Sequence, residues 1–202
     1  ANGMPEWVVV ANTDISFPQK DFFECLVRFY GTECQVAVVA PGIHSQLSNR
    51  DQNPYLRFRP SSKKMFFYQA LFRIYPLFLF YQLLSFSKSR FLNSKIPASN
   101  MKIPEDIYAP HGSFVIFNKI YFAAGGTLDY ASFLFGEEIF VAENVRQLGL
   151  QIKYDPRLQV CHNEHSTTGI FRNRVIYRYQ RDTNIYLYRE FFPDYSLPRR
   201  PV

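Results

Sequence analysis

Two short apolar runs rich in valine constrain the fold of this chain more than any other feature of its sequence. They are WVVVA at residues 7–11 and QVAVVAPG at residues 35–42. Runs of this length and composition, bounded by turn-forming residues, predict buried β-strands. Between them lies a helical pattern that Gly31 is predicted to end in a left-handed cap. The apolar positions of that pattern are Phe22, Phe23, Leu26, Val27 and Tyr30.

Strand-like and helix-like segments continue to alternate along the chain, which indicates an α/β fold with a mixed sheet flanked by helices. With 202 residues, 47% of them hydrophobic, the chain can bury one sizeable core, so we expect a single domain over residues 1–202. An aromatic helical segment is predicted as an insertion at 61–107, and a C-terminal helical extension at 170–202. The other predicted elements are a loop (43–60), a strand (107–119), two helices (118–126 and 136–149) and two short strands (151–155 and 158–162).

Charge and cysteine content narrow the partners and the compartment. Lys and Arg total 23 against 17 Asp and Glu, and the net charge of +6 suits anionic partners such as nucleotide phosphates, nucleic acid or an anionic membrane face. The three cysteines, Cys25, Cys34 and Cys161, have no C-x-x-C spacing, which argues against a disulfide framework or a zinc site. Residues 1–7 lack the pattern of a signal peptide. We therefore expect a cytoplasmic protein.

Four places put residue types capable of chemistry at the ends of predicted elements. They are Asp14 after the first strand, Gly112–Ser113 within a later one, Glu137–Glu138 at the start of a helix, and His162 at the end of a strand. In open α/β sheets, ligands bind where strands end and loops converge, so these residues could share one site. Each also has a purely local explanation: Asp14 shapes a turn, the glutamates favour a helix N-terminus, and His162 bonds a backbone carbonyl.

Three stretches carry a resemblance to a known family. They are VVVANTDISFP, APHGSFVIFNKIYFAAGG and FLFGEEIFVAENVRQLGLQIKYDPRLQVCHNEHSTTG. In order and spacing they resemble the family-two glycosyltransferases, inverting enzymes of the Rossmann-like GT-A fold that use sugar-nucleotide donors. The resemblance covers residues 1–14 and 108–169, and the segment from the glutamate pair to the histidine is its most specific part. Residues 43–106 are unlike the family pattern and longer.

The resemblance implies a divalent metal site. In this family an acidic motif after a strand binds the metal on the donor diphosphate, and Asp14 occupies the ligating position, with Asn12 where some members have aspartate. His162 stands where the family often supplies a second ligand, and His165 is a rival for that role. Oxygen ligands and phosphate suit Mg²⁺ or Mn²⁺, and an imidazole ligand favours Mn²⁺.

The resemblance also implies a catalytic base. Inversion needs a base that takes the proton from an acceptor hydroxyl as it attacks the anomeric carbon. The second residue of the family's usual Glu-Asp pair is the proposed base, so Glu138 inherits that role and Glu137 is placed to hold the acceptor or donor sugar. Glutamate replaces aspartate at position 138, which leaves the assignment between the two glutamates open. Because neighbouring helix residues face different ways, we do not expect them to act as one dyad.

The remaining site residues implied by the resemblance bind substrate. They are Asn12, His111, Gly112 and Ser113. Gly112 and Ser113 would let the backbone approach the donor sugar, although a tight packing point between strands explains them nearly as well. Family members also carry a nucleoside-binding part before the acidic motif, and only the end of it resembles residues 1–7. We therefore expect a C-terminal part of a GT-A fold, whose sheet exposes an edge that another chain can pair with, as in a homo-oligomer.

The aromatic stretch from Lys63 to Phe86 has several interpretations. It is long enough to cross a bilayer, but Arg73 near its middle would cost about 2.5–3.5 kcal/mol on insertion scales. Pro76 also interrupts helical hydrogen bonding. Two interpretations remain open: a helix lying at an anionic membrane surface or over the acceptor groove, and a long helix or helical hairpin buried against the terminal helix.

Two functions of different class follow. The first is a metal-dependent glycosyltransferase that moves a sugar from a nucleotide-sugar donor to a glycan or lipid-linked acceptor in surface polysaccharide synthesis, at the cytoplasmic face of the membrane. The alternative is a noncatalytic module of the same fold that binds a membrane or a partner through its aromatic helix and basic surface. No recognisable motif supports nucleic-acid binding, so we expect none.

Overall fold

The computed structural model describes residues 3–92, 103–132, 134–163 and 174–193. They belong to two compact units. The first, which we call the sheet unit, comprises Ala1–Arg59, Pro97–Tyr130 and Glu137–Thr167. The second, which we call the helical unit, comprises Pro60–Ile96, Ala131–Gly136 and Thr168–Val202.

The sheet unit contains all seven strands of the described residues. They are β1 (Trp7–Ala11), β2 (Ile15–Ser16), β3 (Val36–Ser45), β4 (Arg50–Asp51), β5 (Glu105–Ile107), β6 (Phe114–Asn118) and β7 (Gln151–His162). The helices of the two units, in chain order, are α1 (Phe22–Tyr30), α2 (Ser62–Leu71), α3 (Tyr75–Leu92), α4 (Lys119–Ala123), α5 (Glu137–Gln147) and α6 (Arg174–Phe191).

The strands form one mixed sheet in the order β1-β6-β3-β7-β2, with β4 paired to β3 and β5 paired to β7. β3 runs parallel to β7, and the other pairs are antiparallel. The valine-rich β3 lies in the centre, where nine of its ten residues are buried, as a strand covered on both faces requires. The predicted α/β class with a mixed sheet flanked by helices is confirmed.

Helix α1 covers one face of the sheet through three of the five apolar positions in its predicted pattern, whereas the other two, Phe23 and Val27, are more than half exposed. Phe22, Leu26 and Tyr30 are buried in one cluster with apolar residues of β3, β6 and β7. The buried carboxylate of Asp155 anchors the same region: it accepts from the Tyr30 hydroxyl at 2.8 Å and from the guanidinium of the partly exposed Arg157 at 2.7 Å. Although burial alone would raise it, these hydrogen bonds hold the pKa of Asp155 below its ordinary value.

The helical unit packs the aromatic segment against the terminal helix. Phe78 of α3 is fully buried, with ring centroids 5.0 Å from Tyr177 of α6 and 5.3 Å from Phe72. The segment is not one helix, because α2 ends at Leu71 and α3 begins at Tyr75, one residue before Pro76. Proline is tolerated in a first helical turn, where its missing N–H has no partner to lose, so the sequence restarts the helix there. None of the helices in the described segments combines the length and apolarity needed to span a bilayer.

Several local predictions are wrong. The strand WVVVA, predicted to be buried, has no buried residue, because β1 lies at an edge of the sheet formed by the described residues. Gly31 has a right-handed conformation (φ −62°), not a left-handed one. β7 runs unbroken from Gln151 to His162, since its neighbour β3 supplies pairing partners on both sides of Pro156. The predicted loop at 43–60 begins with the end of β3 and contains β4, and the predicted helical insertion at 61–107 ends in strand β5. Residues 93–102, 170–173 and 194–202 of the two predicted helical segments lie outside the described residues.

Candidate active site

The short strand β2 brings Asp14 to His162. Ile15 pairs with His162 across the β2–β7 ladder, and the backbone N–H of Asn163 donates to the Asp14 carbonyl at 2.9 Å. This register places Asp14 Oδ1 3.2 Å from His162 Nε2. The proximity that the sequence predicts for these two residues, 148 positions apart, is therefore confirmed.

Gln52 orients the imidazole of His162, and the sequence analysis missed it. Its Oε1 lies 2.8 Å from His162 Nδ1, so the amide oxygen accepts from an Nδ1–H. The other ring nitrogen, Nε2, then faces the Asp14 carboxylate. Histidines that bind metals usually donate their second ring N–H to such an oxygen. The sequence held no local signal for Gln52, because it lies in the segment predicted as a loop.

The geometry of this pair fits a divalent cation. Neighbouring ligands at about 2.1 Å from an octahedral ion lie about 3.0 Å apart, close to the separation of the carboxylate oxygen and the imidazole nitrogen. Asp14 and His162 are the two protein ligands that the resemblance implies. Within the described ranges no group of three or more His, Cys, Asp or Glu side chains converges. Two protein ligands suit a Mg²⁺- or Mn²⁺-type ion that takes its other ligands from phosphate and water. His165 lies outside the described residues.

The segment that precedes β6 is held in place by a buried asparagine. Asn53 Oδ1 accepts the backbone N–H of His111 at 2.7 Å, while its amide nitrogen donates to the Pro41 carbonyl at 2.7 Å. His111 Nδ1 in turn lies 2.9 Å from Ser113 Oγ and accepts the Ser113 backbone N–H at 3.2 Å. Because Nδ1 accepts, the neutral ring carries its proton on Nε2. The His111 and His162 rings are 6.4 Å apart between centroids.

Asn12 joins the end of β1 to the same segment. Its backbone N–H donates to the Ser113 carbonyl at 2.9 Å, continuing the β1–β6 ladder by one step beyond Ala11 and Phe114. Asn12 and Ser113 are therefore neighbours, as a shared substrate site requires. In the structure this contact is made by the Asn12 main chain.

Glu138 lies against Gly112 at the start of α5. The Gly112 backbone hydrogen-bonds the Glu138 carboxylate, which favours its ionised form. Burial and the neighbouring charge of Glu137 outweigh that bond and raise the pKa of Glu138 to about 7. A Cβ added at Gly112 would stand 3.1 Å from Glu138 Oε1 and 3.3 Å from Glu137 Oε1. Gly112 is thus a site of close approach by two carboxylates, and any side chain there would displace them.

The two glutamates also border a largely apolar pocket in the sheet unit. Its volume is about 160 Å³, and Glu137 and Glu138 are its only charged lining residues. The apolar walls come from β1, β6 and α5 and from the chain after α4: Val10, Val115, Phe117, Leu128, Tyr130, Phe140 and Val141. The expectation that the glutamates face apart is wrong, because both line this pocket and the charge of Glu137 acts on Glu138. Neighbouring Cβ atoms diverge by about 100° on a helix, but both glutamate side chains are long enough to reach the same pocket.

A third carboxylate of α5 is structural. Glu143 is fully buried and accepts from the Arg59 guanidinium at 2.6 Å, from Arg146 at 2.9 Å and from the Tyr108 hydroxyl at 2.7 Å. Burial opposes its ionisation, but these donors hold its pKa below the ordinary value. The same helix therefore carries one carboxylate that is stabilised as an anion and one, Glu138, that is destabilised as an anion.

Comparison with known proteins adds no family to this description. A scan against protein-family models gives no match, and a search of curated proteins gives none either.

Proposed function

We propose that this chain is the catalytic part of a GT-A-type, inverting glycosyltransferase that moves a sugar from a nucleotide-sugar donor to a glycan or lipid-linked acceptor. One observation carries the proposal: two adjacent residues connect the acid–imidazole pair to the glutamates. Ser113 bonds the chain two residues before Asp14, and Gly112 bonds Glu138. The candidate metal ligands and the candidate base thus both adjoin the short segment Gly112–Ser113.

Glu138 has the properties of a general base near neutral pH. A base acts best when its pKa is close to the working pH, and a value of about 7 meets that condition, whereas an ordinary glutamate is a weaker proton acceptor. The hydroxyl of the acceptor would lose its proton to Glu138 as its oxygen attacks the anomeric carbon from the face opposite the diphosphate. Glu137 raises the basicity of Glu138 through its charge and is placed to bond a sugar hydroxyl.

Asp14 and His162 would hold the divalent ion, and Gln52 would keep the imidazole in the required orientation. The chemistry such an ion supplies when bound is neutralisation of the charge on the departing nucleoside diphosphate. His111, with its proton on Nε2, is a hydrogen-bond donor for a phosphate or sugar oxygen. Gly112 and Ser113 contribute backbone surface without side-chain bulk at the point where the reacting groups meet.

The apolar pocket beside the glutamates suits the acceptor. Cavities of about 150 Å³ hold a group the size of one benzene ring, so this pocket can take one ring or a short apolar group beside the attacking hydroxyl. Its apolar walls also account for the raised pKa of Glu138, since they remove water from the carboxylate.

Metal binding and turnover test the proposal together. Titration of Mn²⁺ followed by electron paramagnetic resonance should show binding that Asp14→Asn removes, while the control Asp106→Asn, at a carboxylate paired with Lys153 on β5 and β7, binds as the wild type does. Gln52→Ala should weaken binding by about 10–100-fold, the usual effect of removing an orienting partner. A panel of uridine, guanosine and thymidine diphosphate sugars should then reveal metal-dependent turnover.

Two results would overturn the proposal. One is Mn²⁺ binding that is unchanged in Asp14→Asn. The other is wild-type protein that binds no Mn²⁺, which would favour the noncatalytic module.

A further inference from the structure

The helical unit exposes large apolar side chains along both α2 and α3 and the turn between them. Phe80 is 60% exposed and Leu83 62% exposed, although each is of a type normally found in cores. The exposed set, which we call the α2–α3 surface, is Phe66, Phe67, Ile74, Leu77, Leu79, Phe80, Leu83 and Leu84. Contiguous exposed apolar surface of this kind marks an interaction site.

The inner side of these helices already has its partner. Met65, Gln69 and Phe72 are buried, at the helical spacing that defines one face of α2 and its end, and Phe78 of α3 is buried against Tyr177 of α6. The α2–α3 surface consists of the apolar positions of these helices that are not buried against α6, so α6 does not cover it. On α3 its members Leu77, Leu79, Phe80, Leu83 and Leu84 lie within an arc of about 160° on the side away from Phe78, which is a convex helix face and not a groove for a single peptide.

The charge around this surface has one sign. From Pro60 to Leu92 the sequence contains five basic residues and no Asp or Glu. Lys63, Lys64 and Arg73 are exposed in the structure. Lys63 precedes Phe66 and Phe67 by three and four residues, so the three side chains share one stripe of α2. Large apolar residues beside basic residues on a helix are the pattern of an interfacial helix on anionic lipid.

We propose that the α2–α3 surface docks on an anionic lipid bilayer, with its apolar side chains in the interface and Lys63, Lys64 and Arg73 at the headgroups. The proposal is independent of the glycosyltransferase assignment, since it uses none of the residues of that site. The charge distinguishes this occupant from a second copy of the chain: two copies of the surface would bring basic residues together with no acidic partner among residues 60–92.

Vesicle co-sedimentation of the purified chain tests the proposal. The protein should bind vesicles of phosphatidylcholine with phosphatidylglycerol, bind much less to phosphatidylcholine alone, and lose part of its binding as salt is raised. Phe80→Ser combined with Leu83→Ser should reduce the partition coefficient by about tenfold or more, because two buried apolar side chains are lost. Lys63→Glu combined with Lys64→Glu should reduce binding to the anionic vesicles selectively.

Val175→Ser is the matched control, since Val175 is a 52% exposed apolar residue of α6 in the same unit, and it should bind as the wild type does. Circular dichroism and gel filtration establish that each variant keeps its fold. The proposal is overturned if the wild type does not bind anionic vesicles, or if the variant with Phe80→Ser and Leu83→Ser binds them as strongly as the wild type does. It is also overturned if that variant merely converts a dimer to a monomer, since the surface then meets a second copy.

Discussion

Glu138 is the residue on which the proposed sugar transfer depends, and its surroundings destabilise its ionised form. The carboxylate lies between an apolar pocket and the charge of Glu137, with the Gly112 backbone as its hydrogen-bond partner. An ionised group in such a place destabilises the folded state. Natural proteins keep arrangements of this kind at functional sites, at the expense of stability.

Replacing Glu138 should therefore stabilise the protein in a pH-dependent way. The folded-state pKa is raised from the ordinary 4.5 to about 7, so the destabilisation is absent below pH 4.5, grows between these values and is complete above pH 7. The free energy of unfolding of Glu138→Gln should exceed that of the wild type by about 1–3 kcal/mol at pH 8. At pH 4.5 the difference should be much smaller. Urea unfolding at the two pH values measures the difference.

The control for that measurement is Glu24→Gln, at an exposed glutamate of α1, which should leave stability unchanged at both pH values. A gain at Glu138 that is equal at pH 4.5 and pH 8 would mean that ionisation is not its cause.

For single residues, the sequence predicted which side chains form the candidate site better than it predicted the hydrogen-bond partners of those side chains. The order of the motifs was enough to pair Asp14 with His162. Gln52 and Asn53, which orient His162 and His111, could not be predicted, because their contacts span 110 and 58 residues and their local context is an ordinary polar loop. The mutual influence of Glu137 and Glu138 was also missed, because helical spacing fixes the directions of neighbouring Cβ atoms but not where two long carboxylate side chains end.

At the scale of elements, hydrophobic pattern decided most of the fold. β3, α1 and α5 follow from their apolar spacing, because each has one face or both faces buried in the same unit, whereas β1 is apolar but has no buried residue. The pattern was less informative for α2 and α3. Their side chains are apolar nearly all round, so periodicity alone did not separate the face buried against α6 from the exposed one, nor locate the break before Tyr75.

Two phenylalanines of α3 separate these faces by experiment. Phe78 is fully buried and Phe80 is 60% exposed, although they stand two residues apart on one helix. Phe78→Ala should lower the free energy of unfolding of the helical unit by about 3–5 kcal/mol, because it leaves a cavity among Phe72, Tyr75 and Tyr177. Phe80→Ala should change it by less than about 0.5 kcal/mol.

Thermal or urea unfolding followed by near-ultraviolet circular dichroism measures both changes. Equal losses for the two variants would contradict the assignment of an inner and an outer face to α3.

At the scale of the whole molecule, the candidate chemistry belongs to the sheet unit alone. The acid–imidazole pair, the segment before β6, the glutamates and the pocket all lie within it. The order of the strands explains why these groups are close. β1 and β6 are neighbours, so the residues that follow β1 adjoin the residues that precede β6, and β2 pairs with the end of β7. The helical unit supplies a different property, an apolar and basic surface.

The sheet also has an edge of its own. Among the described residues β1 pairs only with β6, and Val9 and Val10 are 37% and 42% exposed on it. A strand of this composition at an edge is a pairing surface, which agrees with the edge expected from the resemblance.

The pH dependence of sugar transfer, in the wild type and in two glutamate variants, tests the central claim most directly. With a donor identified from the panel, the wild-type kcat/KM should rise with pH and level off above about 7, as Glu138 of the free enzyme loses its proton. Glu138→Gln should lower kcat by about 10²–10⁴-fold and remove that rise, since the amide cannot accept a proton. Glu137→Gln should keep the rise but move its midpoint to lower pH, because the charge that raises the Glu138 pKa is gone. Transfer by Glu138→Gln at the wild-type rate, with the wild-type pH profile, would contradict the account.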